Sequence, residues 1–307
     1  MDQKMFEQIA SSITVKSICT PLNPDIRAGD KVDDLAFEER LSLDSNPNNP
    51  WPVRDNDGEV VGMLWPESAY TFLSDDPSDP SNDGEVVGMP SPVLVREAME
   101  IVHVHECVSS ATTILDVIEL FGTKTNSKYF YVLQVNEVVG VVRYGDHLHP
   151  LGRLALLTLA LEIEDLALWL CLSDCPDCWM SLPEHRQEKA RDLFKLRYKD
   201  LFKLRYKKEA TSGDYDTRRL LECTQLVDKA KMIWNRRLLP TGTRASVLGF
   251  FETLRKVRDR CAHPGGNDSV LPKEELTKFV HDARAMREGL LAEIQSHGIR
   301  RESRPYE

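Results

Sequence analysis

"YFYVLQVNEVVGVVRYGD", residues 129–146, decides how the first half of the chain is read. Two runs of aromatic and β-branched residues flank Asn136-Glu137, so the stretch predicts a β-hairpin turning at that dipeptide. Immediately upstream, "SSATTILDVIELFGTK" (109–124) sets Ile114, Val117, Ile118 and Phe121 at helical spacing. Ser109 or Ser110 can cap that helix and Gly122 can stop it. The order is therefore strand, helix, strand, strand. Further back, "NPWPVRDNDGEVVGMLWP" (49–66) repeats the hairpin design around Asp57-Gly58.

Between the hairpins, "LSDDPSDPSNDGEVVGMPSP" (73–92) is rich in Asp, Ser and Pro and reads as a linker. It holds an exact copy of "NDGEVVGM", found first at 56–63 and again at 82–89. A second exact repeat, "DLFKLRYK", fills 192–199 and 200–207. Eight residues turn a helix by about 80° net, so tandem copies cannot present one face. The repeats read as duplication rather than as functional units.

The second half carries helical patterns throughout. They cover 151–172, 183–208, 217–238 (Leu220, Val227, Ala230, Trp234), 243–262 (Val247, Phe250, Phe251, Leu254, Val257, Cys261) and 272–297, which opens with Pro272 in its first turn. Five helices with no strand between them predict an up-and-down bundle. The expected class is α+β, a strand-rich module followed by an all-α bundle. Expected boundaries are 1–90 and 91–149 for the two front motifs, 150–297 for the bundle, and 298–307 for a tail.

Charge follows the same division. Residues 1–150 carry 10 Lys and Arg against 25 Asp and Glu, a net of −15, whereas 151–307 carry 29 against 24, a net of +5. Two modules with different partners are implied. The apolar stretch 151–170 is interrupted by Arg153, Glu162, Glu164 and Asp165, which argues for a buried helix and against a membrane span. "MDQKMFEQIA" is charged and lacks the apolar run of a leader. Seven cysteines without framework spacing imply reduced thiols and a cytoplasmic protein.

A helix followed by a hairpin, twice, with the last strand ending in "GVVRYGD", resembles a pair of CBS domains of βαββ type over roughly residues 12–148. The resemblance implies a cleft between the copies that holds AMP, ADP or ATP as a regulatory ligand. The family's ligand mark is Ser or Thr, two residues, then Asp, after the final strand. Copy two has Arg143-Tyr-Gly-Asp146, so Asp146 would hold ribose and Arg143 would meet phosphate in place of the hydroxyl. Copy one has Trp65-Pro-Glu-Ser68, with neither group, which leaves one nucleotide site at most.

"VRDRCAH" near the end of the penultimate helix resembles the arginine-to-histidine motif of the HEPN superfamily, over about 150–297. Arg258 and His263 have four residues between them. The family's glutamate in the first long helix would be Glu162 or Glu164, and the apolar flanks favour Glu164. A basic residue usually follows that glutamate by four positions; Leu168 stands there instead. The resemblance implies a dimeric, metal-independent endoribonuclease of defence or toxin type that leaves 2′,3′-cyclic phosphate ends. The chemistry suits the residues. Histidine exchanges protons near neutrality, and arginine stabilises a phosphorane. Pro264 disfavours helical backbone at His263, so the imidazole can swing back towards Arg258. Glu164 would orient the pair, and Arg260 is a further phosphate contact. A two-fold homodimer would supply the second acid. The same residues also suit an ordinary helix end, where cations favour the free carbonyls.

Lesser candidates complete the reading. "RQEKARDLFKLRYKDLFKLRYKK" (186–208) mixes 10 Lys and Arg with aromatic residues, which suits RNA through Lys195, Arg197, Lys203 and Arg205, or equally a solvated amphipathic helix. Cys171, Cys175 and Cys178 have partial zinc spacing but no second cysteine pair follows, and no metal or catalytic cofactor is expected. His103, His105, His147 and His149 alternate as strand or turn histidines do. Two functions follow. One is a ribonuclease adjusted by a nucleotide; the other is a non-catalytic nucleotide-sensing protein whose bundle only dimerises or docks a partner.

Overall fold

The structure is a computed structural model that describes residues 3–32, 49–66, 94–124, 127–197, 217–239, 242–263 and 271–297. Helix α1 (Gln3–Ser12) opens the chain. Two compact units follow from the contacts: Ile13–Leu151, and α1 together with the chain from Gly152 onward.

The first unit holds strands β1 (Thr20–Pro21), β2 (Ile26–Arg27), β3 (Trp51–Arg54), β4 (Val60–Leu64), β5 (Cys107–Ser109), β6 (Tyr129–Gln134) and β7 (Glu137–Arg143), with helices α2 (Val95–Ala98) and α3 (Ile114–Thr123). They form two sheets, β2-β3-β4 and β1-β7-β6-β5. In each sheet a strand lies parallel to the first arm of an antiparallel hairpin. Helix α3 makes the β5-to-β6 crossover; residues 33–48, between β2 and β3, lie outside the described residues.

The two halves exchange backbone pairings. Thr20 leaves the first half to pair with Val141 of β7. In return the Met63 amide donates to the Glu100 carbonyl at 2.9 Å and the Glu100 amide donates back at 2.8 Å. The exchange fixes one half against the other and brings the ends of β4 and β7 near the same seam.

Local chemistry moved three expected boundaries. The cap of α3 is Thr113, whose hydroxyl accepts from the Asp116 amide at 3.2 Å, not Ser109 or Ser110. Ser109 is instead held in β5, paired with Leu133. Gly122 lies inside the helix, which runs to Thr123. The second hairpin turns at Val135-Asn136, because Glu137 is already paired with Gln134; Val135 takes φ +59° and points into solvent. Ile114, Leu115, Val117, Ile118 and Phe121 are buried on α3, and the Phe121 ring meets Phe130 at 4.7 Å. Each such side chain contributes about 1.5–3 kcal/mol on burial.

The second unit contains α4 (Pro150–Ser173), α5 (Asp177–Met180), α6 (Glu184–Arg197), α7 (Thr217–Glu222), α8 (Leu226–Asn235), α9 (Arg244–Ala262) and α10 (Lys273–Ser296). No strand lies among its described residues. The expected helix 217–238 is broken at Cys223–Gln225. There the Thr224 hydroxyl donates to the Leu221 carbonyl at 2.6 Å, and the Asp228 carboxylate accepts from the Gln225 amide at 3.2 Å. Local side-chain bonds thus end one helix and start the next. Pro272 is the cap of α10 rather than its first residue. The unit's buried side chains include Leu156, Ile163 and Leu170 of α4, Phe251, Leu254 and Val257 of α9, and Phe279 and Leu290 of α10. Phe250, expected in the core, is half-buried and stacks on Phe279 at 6.1 Å. Of the 183–208 stretch only the part up to Arg197 is described; the 73–92 linker and the second copies at 82–89 and 200–207 lie outside the described residues. No described helix is long and apolar enough to cross a membrane.

Candidate functional site

Helix α4 presents two glutamates to different partners. Glu162 is buried and accepts from Arg287 Nε of α10 at 2.7 Å. Glu164 faces α8 and α9. Its Oε2 accepts from Arg258 Nη1 at 2.7 Å and its Oε1 from Lys229 Nζ at 3.3 Å. Burial alone would raise the Glu164 carboxyl, but Lys229 and Arg258 outweigh it and hold the group below its ordinary value. Arg258 also grips Asp259 through Nε and Nη2, and its own ionisation is pushed upward. One carboxylate therefore fixes two cations from two helices.

Lys229 was not among the residues singled out in the sequence. It supplies Glu164 with a second cation, from another helix. Lys229 is 3% exposed, and its ammonium also donates to the Thr224 carbonyl at 2.8 Å, across the break between α7 and α8. The signal was present: Leu226, Lys229, Ala230 and Ile233 share one helix face, and a lysine on an apolar face needs a partner.

His263 caps the C-terminus of α9. Its backbone (φ −126°, ψ 74°) has left the helical region, and its amide donates to the Asp259 carbonyl at 3.0 Å. The residue is exposed. Arg258 and Glu164 are thus joined in direct contact, with His263 one turn past Asp259 at the solvent edge. Arg260 is exposed near the same helix end. Lys195 pairs with Asp192 on α6 at 3.2 Å, Arg197 ends that helix, and Lys203 and Arg205 lie outside the described residues.

Beside this network lies a cavity of about 580 Å³ between α4, α6, α8 and α9, with Glu164, Arg258 and Asp259 in its wall. His263 is not part of the lining.

At the other candidate site, β7 ends at Arg143 and enters a short 3₁₀ turn, Tyr144–Leu148. Asp146 Oδ2 accepts from the Arg143 amide at 2.7 Å. Burial raises the Asp146 carboxyl against the pull of that hydrogen bond and of the Arg143 charge. The Arg143 guanidinium donates to the Thr20 hydroxyl at 3.4 Å and stands 5.7 Å from the Trp65 ring. Trp65 itself lies 4.4 Å from Tyr129 and donates to the Tyr131 hydroxyl at 3.2 Å. A cation, a hydroxyl and a carboxylate thus gather at the seam of the two halves. Thr20 and Trp65 reach it through the exchange of pairings, which no local pattern announces.

Among the described residues no group of three His, Cys, Asp or Glu is placed to hold a metal ion. Cys171 and Cys178 are buried, and Cys178 Sγ contacts Asp174 Oδ2 at 3.7 Å. His103 and His105 are exposed and stacked at 5.4 Å; His147 is buried and its Nδ1 contacts the Tyr144 carbonyl.

No protein-family model matches the chain, and no curated protein matches it significantly. Solved structures do, over about the N-terminal 45% of the chain. The chain is similar to CBSX2, crystallised in complex with AMP, at 18% identity and a TM-score of 0.31, covering 44% of this chain and 93% of that one. It is similar to the CBS domain of a CBS domain-containing membrane protein from Sphaerobacter thermophilus at 14% identity and 0.33, covering 48% and 92%. The CBS domains of a transcriptional regulator from Streptococcus pneumoniae match at 19% identity and 0.28, covering 44% and 97%.

Proposed function

We propose that residues 13–151 are a CBS pair that senses an adenine nucleotide, and that the helical unit carries the output. The observation that supports this is the meeting of Arg143, Thr20 and Asp146 at the end of β7. A guanidinium and a hydroxyl match a phosphate, and a half-buried carboxylate matches a ribose diol. The raised Asp146 carboxyl fits the role, since a group held at a cost in the empty protein gains on binding donors. Titration calorimetry of the full chain with AMP, ADP and ATP tests it. Binding that Asp146→Ala removes is expected; heats indistinguishable from dilution for all three nucleotides would end the reading.

A second reading concerns the output. The Glu164–Arg258 pair, with an exposed His263 five residues on at the end of the same helix, supports a reading of RNA cleavage of HEPN type without a metal. His263 would take the proton of the 2′-hydroxyl as its oxygen attacks the adjacent phosphorus. Arg258, aimed by Glu164, would stabilise the negative charge on the phosphorane. The bond to the 5′-oxygen then breaks, and a histidine from a second copy in a homodimer would protonate that oxygen, leaving a 2′,3′-cyclic phosphate. Arg260 would be a further phosphate contact. RNA incubated with the protein in EDTA should be cut, and His263→Ala should abolish the cutting. Intact RNA, with or without nucleotide, would favour a non-catalytic sensor whose bundle dimerises or docks a partner.

A further inference from the structure

The cavity beside Glu164 has a built polar wall. Three arginines line it, and each is already aimed by carboxylates: Arg258 by Glu164 and Asp259, Arg255 by Glu252 at 2.6 Å, and Arg186 by Asp228 at 2.7 Å. These pairs fix the guanidinium planes, so ordering them costs a ligand little. Two donor groups are left over. Arg186 bonds through Nε and Nη2 only, which leaves Nη1, and Lys231 has no ion-pair or hydrogen-bond partner among the described residues. Apolar surface comes from Leu193, Leu226 and Val227. The volume, about 580 Å³, lies within the ~300–1,000 Å³ span of clefts that enclose one small ligand.

The three wall carboxylates, Glu164, Glu252 and Asp259, are each paired with an arginine, so the donors left over are cationic, beside a smaller apolar part. A free carboxylate is too small to fill the cavity. A bare apolar ligand would strand Lys231 and Arg186 Nη1. A nucleotide brings both parts, an anionic phosphate and a flat base. The backbone of His263 lies one turn beyond Asp259, which lines the cavity.

Building on the cleavage reading above, we infer that this cavity is a subsite for one nucleotide of single-stranded RNA next to the cut phosphate. Lys231 and Arg186 meet its phosphate, and Leu193, Leu226 and Val227 carry its base.

The test uses the full chain and a labelled 2′-O-methyl oligoribonucleotide, which cannot be cut because the attacking hydroxyl is methylated. Lys231→Glu should weaken binding about fivefold or more and lower the slope of log K against log salt by about one. Leu193→Glu, on the exposed side of α6, should weaken it comparably with an unchanged melting curve. Oligonucleotide binding equal to wild type in both variants overturns the subsite. So does a mononucleotide that binds in a Lys231-dependent way when the oligonucleotide does not bind at all. The cleavage reading fails separately. If wild type cuts no RNA but binds the oligonucleotide through Lys231, the subsite stands and the chemistry falls. If His263→Ala stops cutting while Lys231→Glu leaves KM at the wild-type value, the chemistry stands and the subsite falls.

Discussion

Gly62 and Gly140 occupy equivalent places in the two halves of the front unit. A Cβ on Gly140 would lie 2.7 Å from the Thr20 carbonyl oxygen, and a Cβ on Gly62 would lie 2.7 Å from the Glu100 carbonyl oxygen. Each glycine is the point where backbone from the other half crosses, β1 at Gly140 and an isolated bridge beside Gly62. Both contacts are to backbone, which cannot rotate away. Gly62→Ala and Gly140→Ala are each expected to cost about 1–3 kcal/mol, the usual penalty of forcing extra volume into a closed site. Urea unfolding monitored on the whole chain checks this. Gly29→Ala is the control, since a Cβ there has nothing within 4 Å.

The Glu164 network separates architecture from chemistry. Among the described residues, removing the carboxylate leaves the buried Lys229 ammonium with the Thr224 carbonyl as its one hydrogen-bond partner. Glu164→Ala should destabilise by about 3–5 kcal/mol, the cost of an uncompensated buried charge. Glu164→Ala combined with Lys229→Met should recover most of the loss, because no charge is then stranded. Arg258→Ala should cost less, about 1 kcal/mol, since Arg258 is the more exposed partner and its loss leaves the Lys229 pair intact. Denaturant midpoints for the four proteins decide the order.

Acid sensitivity follows with opposite signs at the two sites. Glu164 ionises below its ordinary value of 4.5 in the folded chain, so its contribution is present above that value and is lost as pH falls through the folded one. Asp146 ionises above its ordinary 3.8, so its charge costs stability at neutral pH, and that cost is relieved as pH falls through the raised value. Unfolding midpoints measured from pH 7 down to about pH 3 check both. Glu164→Gln should start lower than wild type and converge with it at the acid end. Asp146→Asn should start higher than wild type and converge with it there.

How much of this was legible differs from place to place. The strand-helix-hairpin order of the second motif followed from Ile114, Val117, Ile118 and Phe121 and from the two apolar runs around Asn136, because those patterns act within one element. The helix break at Cys223–Gln225 did not, since Leu220, Val227 and Trp234 keep helical spacing across it, and only side-chain bonds of Thr224 and Asp228 reveal it. Glu164 could be named as a candidate from its flanks, but its two partners come from helices 65 and 94 residues away. The equivalence of Gly62 and Gly140 was written in the sequence. "EVVG" stands at 59–62, at 85–88 and at 137–140, and the first and last of these open the second arm of a β-hairpin. That correspondence aligns Trp65 with Arg143. Nothing in a linear pattern shows that the two side chains also meet.

Under the nucleotide-sensing proposal, their meeting sets the number of ligands. Where the second half offers Arg143 and Asp146, the first half offers Trp65, whose indole is packed on Tyr129 and tied to the Tyr131 hydroxyl. An indole N–H can donate to a phosphate, but here that proton is already used, and the ring brings no positive charge. The seam should therefore take one nucleotide per chain, at the Arg143 end, and calorimetry should return a stoichiometry near one. Arg143 stands 5.7 Å from the Trp65 ring, so a phosphate that engages the guanidinium also alters the indole's surroundings. Nucleotide addition should change tryptophan fluorescence, and Trp65→Phe should remove most of that change while leaving Trp51, Trp169, Trp179 and Trp234 in place. At a hundredfold excess over Kd the nucleotide should raise Tm by about 5–10 °C, from the ~2.7 kcal/mol that mass action supplies. Asp146→Asn should raise the Tm of the empty protein by about 1–3 °C, because an ionised carboxyl is no longer held half-buried, and should abolish the further rise on adding nucleotide. A stoichiometry of two, or an Asp146→Asn protein that still responds fully, would place the ligand elsewhere.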